Sequence, residues 1–241
     1  MKDIVGKKRL VANGVVGFWP AASEGDDIVL FTDERRDAEA ARFFGLRQQM
    51  KKREDGAPNF CLSDFVAPIG SGVADYLGLF AVTAGVGAED LAQSYDRAND
   101  NYSAIMAKAL ADRLAEAFAE HLHERVRREF WGYETGRPAD VAALIREEYQ
   151  GIRPAPGYPA QPDHTEKETI FRLLKAEEAA GMALTESLAM TPAASVSGLY
   201  FSHPQSLYFG VGHIGTDQFE DYARRKSWDA RVAGKWLAPI L

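Results

Sequence analysis

Short runs of alternating or wholly apolar residues are separated along this chain by longer stretches with helical spacing. Val15 to Trp19 and Asp27 to Thr32 read as two short strands, and Gly, Ser and Asp within Pro20 to Asp26 suit a hairpin loop between them. Asp33 to Met50 is charged and alanine-rich, which predicts a helix. Lys51 to Pro58 reads as a polar loop, Phe60 to Val66 as a strand ending at Pro68, and Ile69 to Val73 as a glycine-rich tip. Tyr76 to Ala84 is apolar and short, which favours a buried strand over a helix.

The pattern then changes period. Behind possible caps at Asn99, Asp100 and Asn101, apolar residues recur every fourth position: Met106, Leu110, Leu114, Phe118, Leu122, Val126 and Phe130. This predicts a long helix over about 101–130, with a packing seam that drifts by about 40° per step around it. Gly132 is its expected cap. The complementary stripe is Lys108, Asp112, Glu116, Glu120, Glu124 and Arg128. Four successive acids at this spacing repel one another mildly, and a cationic partner would relieve them.

Ala139 to Tyr149 predicts a short helix. Asp163 or Thr165 caps another, with Glu166 and Glu168 in its first turn, running to about Ala180 and stopped by Gly181. Leu184 to Met190, Gly198 to Phe201 and Tyr208 to Ile214 read as strands. Asp217 to Lys226 and Ala230 to Leu237 read as helices, with Pro239 beyond the end. Hairpins and long helices without regular βαβ alternation predict one α+β domain on an antiparallel sheet flanked by helices.

Between these elements lies Gly151 to Lys167, which carries Pro154, Pro156, Pro159 and Pro162. Each proline fixes its own φ and biases its predecessor toward extended backbone, so the segment is neither a helix nor a central strand. It reads as a stiff ribbon with exposed carbonyls, one fixed cation (Arg153) and one ring (Tyr158). A preorganised loop of this kind loses little entropy when a ligand docks.

Composition narrows the function classes. The 241 residues are 46% hydrophobic and 26% charged, which is ordinary for a globular protein. A net charge of −7 argues against general nucleic-acid binding. The single cysteine, Cys61, excludes an internal disulfide and fits a reducing compartment. No apolar run approaches the ~20 residues of a membrane span, and the charged N-terminus has no apolar region behind it. The expectation is a soluble, cytoplasmic protein with neither membrane nor nucleic-acid partners.

There is no phosphate-binding glycine loop, dinucleotide fingerprint, H-E-x-x-H or C-x-x-C. His164, His203 and His213 lack convergent ligand spacing, so no metal site is expected. Ser195 and Ser197 have no paired base, so no catalytic residue is expected. Binding groups remain. Arg153 can hold a carboxylate in a fork. Tyr158, Tyr208 and Phe209 offer ring faces. Asp112 and Glu116 can sit near a positive centre. Together they describe a ligand with a flat heterocycle, a carboxylate and a positive charge, without naming a compound.

Longer motifs carry a resemblance. Gly151-Ile-Arg-Pro-Ala-Pro-Gly-Tyr-Pro, followed by Pro162-Asp-His-Thr-Glu-Lys, closely resembles the C-terminal activation domain of cobalamin-dependent methionine synthase. So does the run from Met190 to Phe209, and so do Asp64-Phe-Val-Ala-Pro, Ala74 to Thr83, Lys108 to Glu120 and Asp221-Tyr-Ala-Arg-Arg-Lys. The likeness runs from about Ala12 to Pro239 in the family's order. It implies one C-shaped α+β domain with a twisted antiparallel sheet, spanning 1–241. It also implies S-adenosylmethionine binding beside a cobalamin-binding domain, with the cobalamin held by that partner.

In that family the parent enzyme moves a methyl group from methyltetrahydrofolate to homocysteine through cobalamin. The activation domain presents S-adenosylmethionine when the cobalamin has oxidised, while a flavodoxin or flavodoxin-like reductase supplies an electron. The family's ligand contacts fall on Arg153, Ala155, Gly157 and Tyr158, then Tyr208 and Phe209, with the helix acids at Asp112 and Glu116. Two departures are visible. The family's domain usually begins upstream of Met1, in a segment that carries an acidic ligand contact, and Gln161 stands where cysteine is common. The first departure leaves a second reading open: a docking module for a cobalamin protein or flavodoxin that binds little ligand itself. An independent methyltransferase is disfavoured by the lack of a candidate base or metal.

Overall fold

A computed structural model describes residues 6–52, 56–136 and 140–241. Strand β1 (Val11–Glu24) turns at Gly25, whose φ is +61°, into β2 (Asp27–Phe31), pairing Glu24 with Asp27 and Ala21 with Leu30. The expected loop at Pro20 to Asp26 is therefore a two-residue turn. Strand β3 (Glu39–Phe43) pairs antiparallel with β2 across an irregularity between Leu30 and Phe31. With β4 (Asp75–Val86) and β7 (Ser195–Tyr200) these form a five-stranded antiparallel sheet in the order β3-β2-β1-β4-β7. The chain is thus α+β, as the patterning predicted.

The chain separates into two compact units. The first comprises Met1–Gly17, Leu79–Gly132 and Ile170–Gly198, and the second Phe18–Gly78, Tyr133–Thr169 and Leu199–Leu241. The division falls within β1, β4 and β7.

In the first unit, helix α1 (Ala88–Arg97) precedes the long α2 (Asn101–Arg125). The patterning missed α1. The Asp100 carboxylate caps α2 by accepting from the Ser103 N–H at 3.1 Å. A five-residue π-helical turn, Val126–Phe130, continues α2, and Gly132 at φ +74° closes it.

The expected packing seam of α2 is corrected. Its buried face carries Ala104, Ala107, Ala111, Ala115 and Ala119, then Leu122 and His123, while Met106, Leu114 and Phe130 face outward. A strict four-residue repeat drifts around a helix, whereas the alanines step by three and four and stay on one side of a 3.6-residue turn. Their small side chains let the helix approach closely: Ala111 and Ala115 pack with Ala84, Ala88 and Ala194. Phe118 does belong to the packed side, since a Cβ on Gly14 would meet its ring at 3.0 Å.

Four other expectations fail. Asp33 to Met50 is not a helix; it holds a turn with Arg36 at φ +57° and then β3, in which Ala41 and Phe43 are buried and Arg42 points to Glu24 and Glu39. Pairing with β2 overrides the helical propensity of the alanines. Phe60 to Val66 is not a strand but contains a 3-10 turn, Leu62–Phe65, because the Asp64 side chain accepts from the Cys61 N–H at 2.8 Å. Leu184 to Met190 is not one strand but the turn of a hairpin between β5 (Ala183–Leu184) and β6 (Met190–Thr191). Tyr208 to Ile214 joins no sheet. Its Val211 N–H donates instead to Pro159 O at 2.8 Å and its Ile214 N–H to Ile240 O at 2.9 Å, with Gly210 and Gly212 interrupting any ladder.

The remaining helices are α3 (Val141–Ile145), α4 (Glu166–Leu174), α5 (Ala176–Ala180), α6 (Thr216–Arg225) and α7 (Ala230–Leu237). The single helix expected up to Ala180 is broken by Lys175 at φ +49°, and Gly181 at φ +69° ends the second piece. Ala139, the expected start of α3, and residues 53–55 of the expected polar loop lie outside the described residues. The second unit's core gathers Leu46, Val211, Ile214, Tyr222 and Leu237. No helix among the described residues is long and apolar enough to cross a membrane.

Candidate ligand-binding site

The proline ribbon lies in the second unit and is anchored by its backbone. Ile152 exchanges two hydrogen bonds with Phe201, N–H to O at 3.1 Å and 3.0 Å, and Pro154 O accepts from the Leu199 N–H at 2.9 Å. Prolines at 154 and 156 cannot donate, so only their carbonyls are available to neighbours. Both prolines are buried, which fixes the ribbon's path.

A tight turn follows. The Tyr158 N–H donates to Ala155 O at 3.1 Å, the Gly157 N–H to Gln161 O at 2.7 Å, and the Gln161 N–H to Tyr158 O at 2.9 Å. Gly157 sits at φ +93°, where a side chain is strained, and a Cβ there would lie 2.2 Å from His164 Cε1. The backbone angle favours glycine, and the His164 ring occupies the space behind it. Gln161 extends the anchoring by donating from Nε2 to Phe44 O at 2.9 Å.

Arg153 and Tyr208 are brought together. The Arg153 N–H donates to the Tyr208 hydroxyl at 2.9 Å, and Arg153 Nη1 donates to the Tyr149 hydroxyl at 3.0 Å. Burial of its hydroxyl pushes the Tyr208 phenol up to about 12, although 38% of the residue stays exposed. Its polar end is thus turned inward and part of its ring remains accessible. Tyr158 is 61% exposed, a large aromatic surface beside a rigid turn. The His164 imidazole is held below its ordinary range, first by burial and then by Lys167, with Asp163 opposing.

Phe209 does something else. Its ring packs at 5.9 Å from Phe60 and 6.3 Å from Phe65, and against the Leu46–Tyr222 core. It is a packing residue that backs the segment carrying Tyr208. Asp112 and Glu116 belong to the first unit, exposed on α2. Asp112 lines a cleft of about 740 Å³ there, with Lys108, Thr191 and Pro192 also in its walls. Lys108 pairs with Glu89 at 2.9 Å, so one cation of the α2 stripe is engaged by α1.

Patterning missed Tyr149, although it stands four residues before Arg153. It also missed Gln161 and His164 as supports of the turn. Their signal was present in the run of turn-forming residues, but only the folded backbone shows which side chain closes on which peptide.

Residues 1–227 match the family model described as vitamin B12 dependent methionine synthase, activation domain. The chain belongs to this family. Among solved structures, a MetH reactivation domain crystallised bound to AdoHcy is similar to it at 55% identity and a TM-score of 0.96, covering 100% of this chain and 73% of that chain. A domain of methionine synthase, itself a methyltransferase, is therefore what this sequence encodes. The ribbon bonds to the end of β7 at Leu199 within the second unit, and α2 belongs to the first.

Proposed function

We propose that this activation domain binds S-adenosylmethionine at the Arg153–Tyr158 ribbon and presents it to cobalamin held by a partner domain. The observation that carries this reading is the Gly157 turn: a preorganised backbone bend with no room for a side chain, between a guanidinium and an accessible ring. The AdoHcy bound by the similar reactivation domain is the demethylated counterpart of the ligand proposed here, which supports the assignment.

Each residue then has a role. Five N–H donors allow the Arg153 guanidinium to hold both Tyr149 and a ligand carboxylate. Gly157 lets the chain bend at φ +93° over the His164 ring, and Ala155 keeps the adjoining surface small. The rings of Tyr158 and Tyr208 stack on the adenine, and Phe209 fixes Tyr208 from behind. S-adenosylmethionine supplies the methyl group, and cobalamin on the partner domain supplies the accepting cobalt. The chain's own residues bind and orient, and the isolated chain performs no catalysis. A flavodoxin or flavodoxin-like reductase is the electron donor in this scheme.

Titration calorimetry with S-adenosylmethionine tests the reading. Arg153→Ala removes a charge-assisted bond and is expected to weaken binding by roughly 1.5–3 kcal/mol. Unchanged affinity in that variant, or no heat of binding in the unaltered protein, sinks the assignment. A second reading, a docking module with little ligand affinity, draws on the 740 Å³ cleft beside Asp112. It requires the cobalamin-binding domain to associate equally well with and without S-adenosylmethionine.

A further inference from the structure

At the C-terminal end of the ribbon, three residues enter a buried polar cluster. Asp163 is fully buried, and Glu166 and Thr165 nearly so. Lys226, at the end of α6, donates from Nζ to Asp163 Oδ2 at 2.6 Å, Thr165 Oγ1 at 2.5 Å and Glu166 Oε1 at 2.6 Å. An ammonium has three donors, and these three oxygens use them all. The Tyr222 hydroxyl adds a bond to Asp163 Oδ2 at 2.7 Å, and the Thr165 N–H adds one to Asp163 Oδ1 at 2.8 Å. Aromatic walls exclude water: the rings of Trp228, Phe44 and Tyr222 stand 4.3, 5.3 and 5.6 Å from Nζ.

The cluster reaches the ribbon by two routes. His164, between two of the tethered residues, is the side chain whose ring fills the space at Gly157. Phe44 is gripped at both backbone groups, its N–H by Glu166 Oε2 at 3.4 Å and its carbonyl by Gln161 Nε2 at 2.9 Å. Gln161 O in turn accepts the Gly157 N–H.

We propose that Lys226 is a positioning residue for the ligand ribbon. By tying Asp163, Thr165 and Glu166 to one point, its ammonium fixes the return of the turn, so that Gly157 and Tyr158 are presented in one geometry. The cluster is a lock on the site rather than a contact with the ligand. Its consequence for affinity rests on the reading of the ribbon as the S-adenosylmethionine site; its consequence for the ribbon's rigidity does not.

The test therefore has two readouts. Amide hydrogen exchange is measured on the ligand-free protein and its Lys226→Met variant, and calorimetry with S-adenosylmethionine on both. Exchange at the Gly157 and Gln161 amides is expected to accelerate about tenfold while amides of β2 in the same unit keep their protection. Affinity is expected to fall about tenfold. Unchanged protection at Gly157 and Gln161, or an equal loss at β2, overturns the proposal. If Lys226→Met does not fold, Thr165→Val removes two bonds of the cluster and Tyr222→Phe removes one, and a selective loss at the same two amides is again required. Selective loss without any ligand binding by the unaltered protein upholds the positioning role and refutes the ligand assignment.

Discussion

Gly157→Ala separates the two reasons for a glycine in the ribbon. The new methyl would lie 2.2 Å from His164 Cε1 and 2.5 Å from Nδ1, inside any permitted contact. The backbone would also carry a side chain at φ +93°. The first penalty can be relieved, because the His164 ring is an exposed, rotatable side chain that can swing away. The second cannot, and strain of that kind costs about 1–3 kcal/mol. In a chain of 241 residues, each kcal/mol corresponds to about 2–4 °C in Tm. Urea denaturation of Gly157→Ala should therefore show a loss of about 1–3 kcal/mol. Gly157→Ala combined with His164→Ala should remain close to the single Gly157→Ala variant, because only the clash is removed. A Gly157→Ala variant within about 0.5 kcal/mol of the unaltered protein would refute the strain argument. Full recovery on removing the imidazole would show that the ring, not the backbone angle, demands glycine.

Two further outcomes follow from the packing and the charges. Burial pushes the Glu166 carboxyl up to about 7, against the attraction of Lys226 and with Asp163 adding repulsion. The folded state therefore holds this proton more tightly than the unfolded chain, so its contribution is complete below the ordinary glutamate range and is lost as pH rises toward 7. A shift of that size corresponds to roughly 3 kcal/mol. Glu166→Gln should flatten the fall in urea-measured stability between about pH 4.5 and 7, and an unaltered slope would contradict the assignment. On α2, Ala111→Leu should destabilise by about 1–3 kcal/mol through overpacking, whereas Met106→Ala should stay within about 0.5 kcal/mol in thermal melts. The reverse ranking would restore the four-residue seam.

Much of the fold was legible where local chemistry and tertiary environment agree. β4 is apolar over most of its length, where it is buried, and Asp100, Gly132 and Gly181 punctuate helices as their types suggest. Failures came where a partner decided the conformation. Glu39 to Phe43 looks helical by composition, yet its alternate burial of Ala41 and Phe43 answers to the edge of β2. The α2 seam was misread for a related reason. Large apolar residues draw attention, but close packing of a helix selects small ones, and the alanines carried the true period.

The site divides along the same line. Prolines announce backbone, and the ribbon's stiffness follows from them, whereas its bend at Gly157 and the approach of Arg153 to Tyr208 appear only in the folded chain. Side chains that act by burial carry no such mark. Phe209 and Tyr208 are adjacent aromatics, yet one faces the Phe60–Phe65 cluster while the other keeps an accessible ring. Asp163, Glu166 and Lys226 look like ordinary helix-end charges in sequence, separated by some sixty residues. Only burial converts them into a lock. Burial also explains why two acids share one ammonium without disrupting the fold, since the desolvated Glu166 retains its proton more readily than a surface glutamate does.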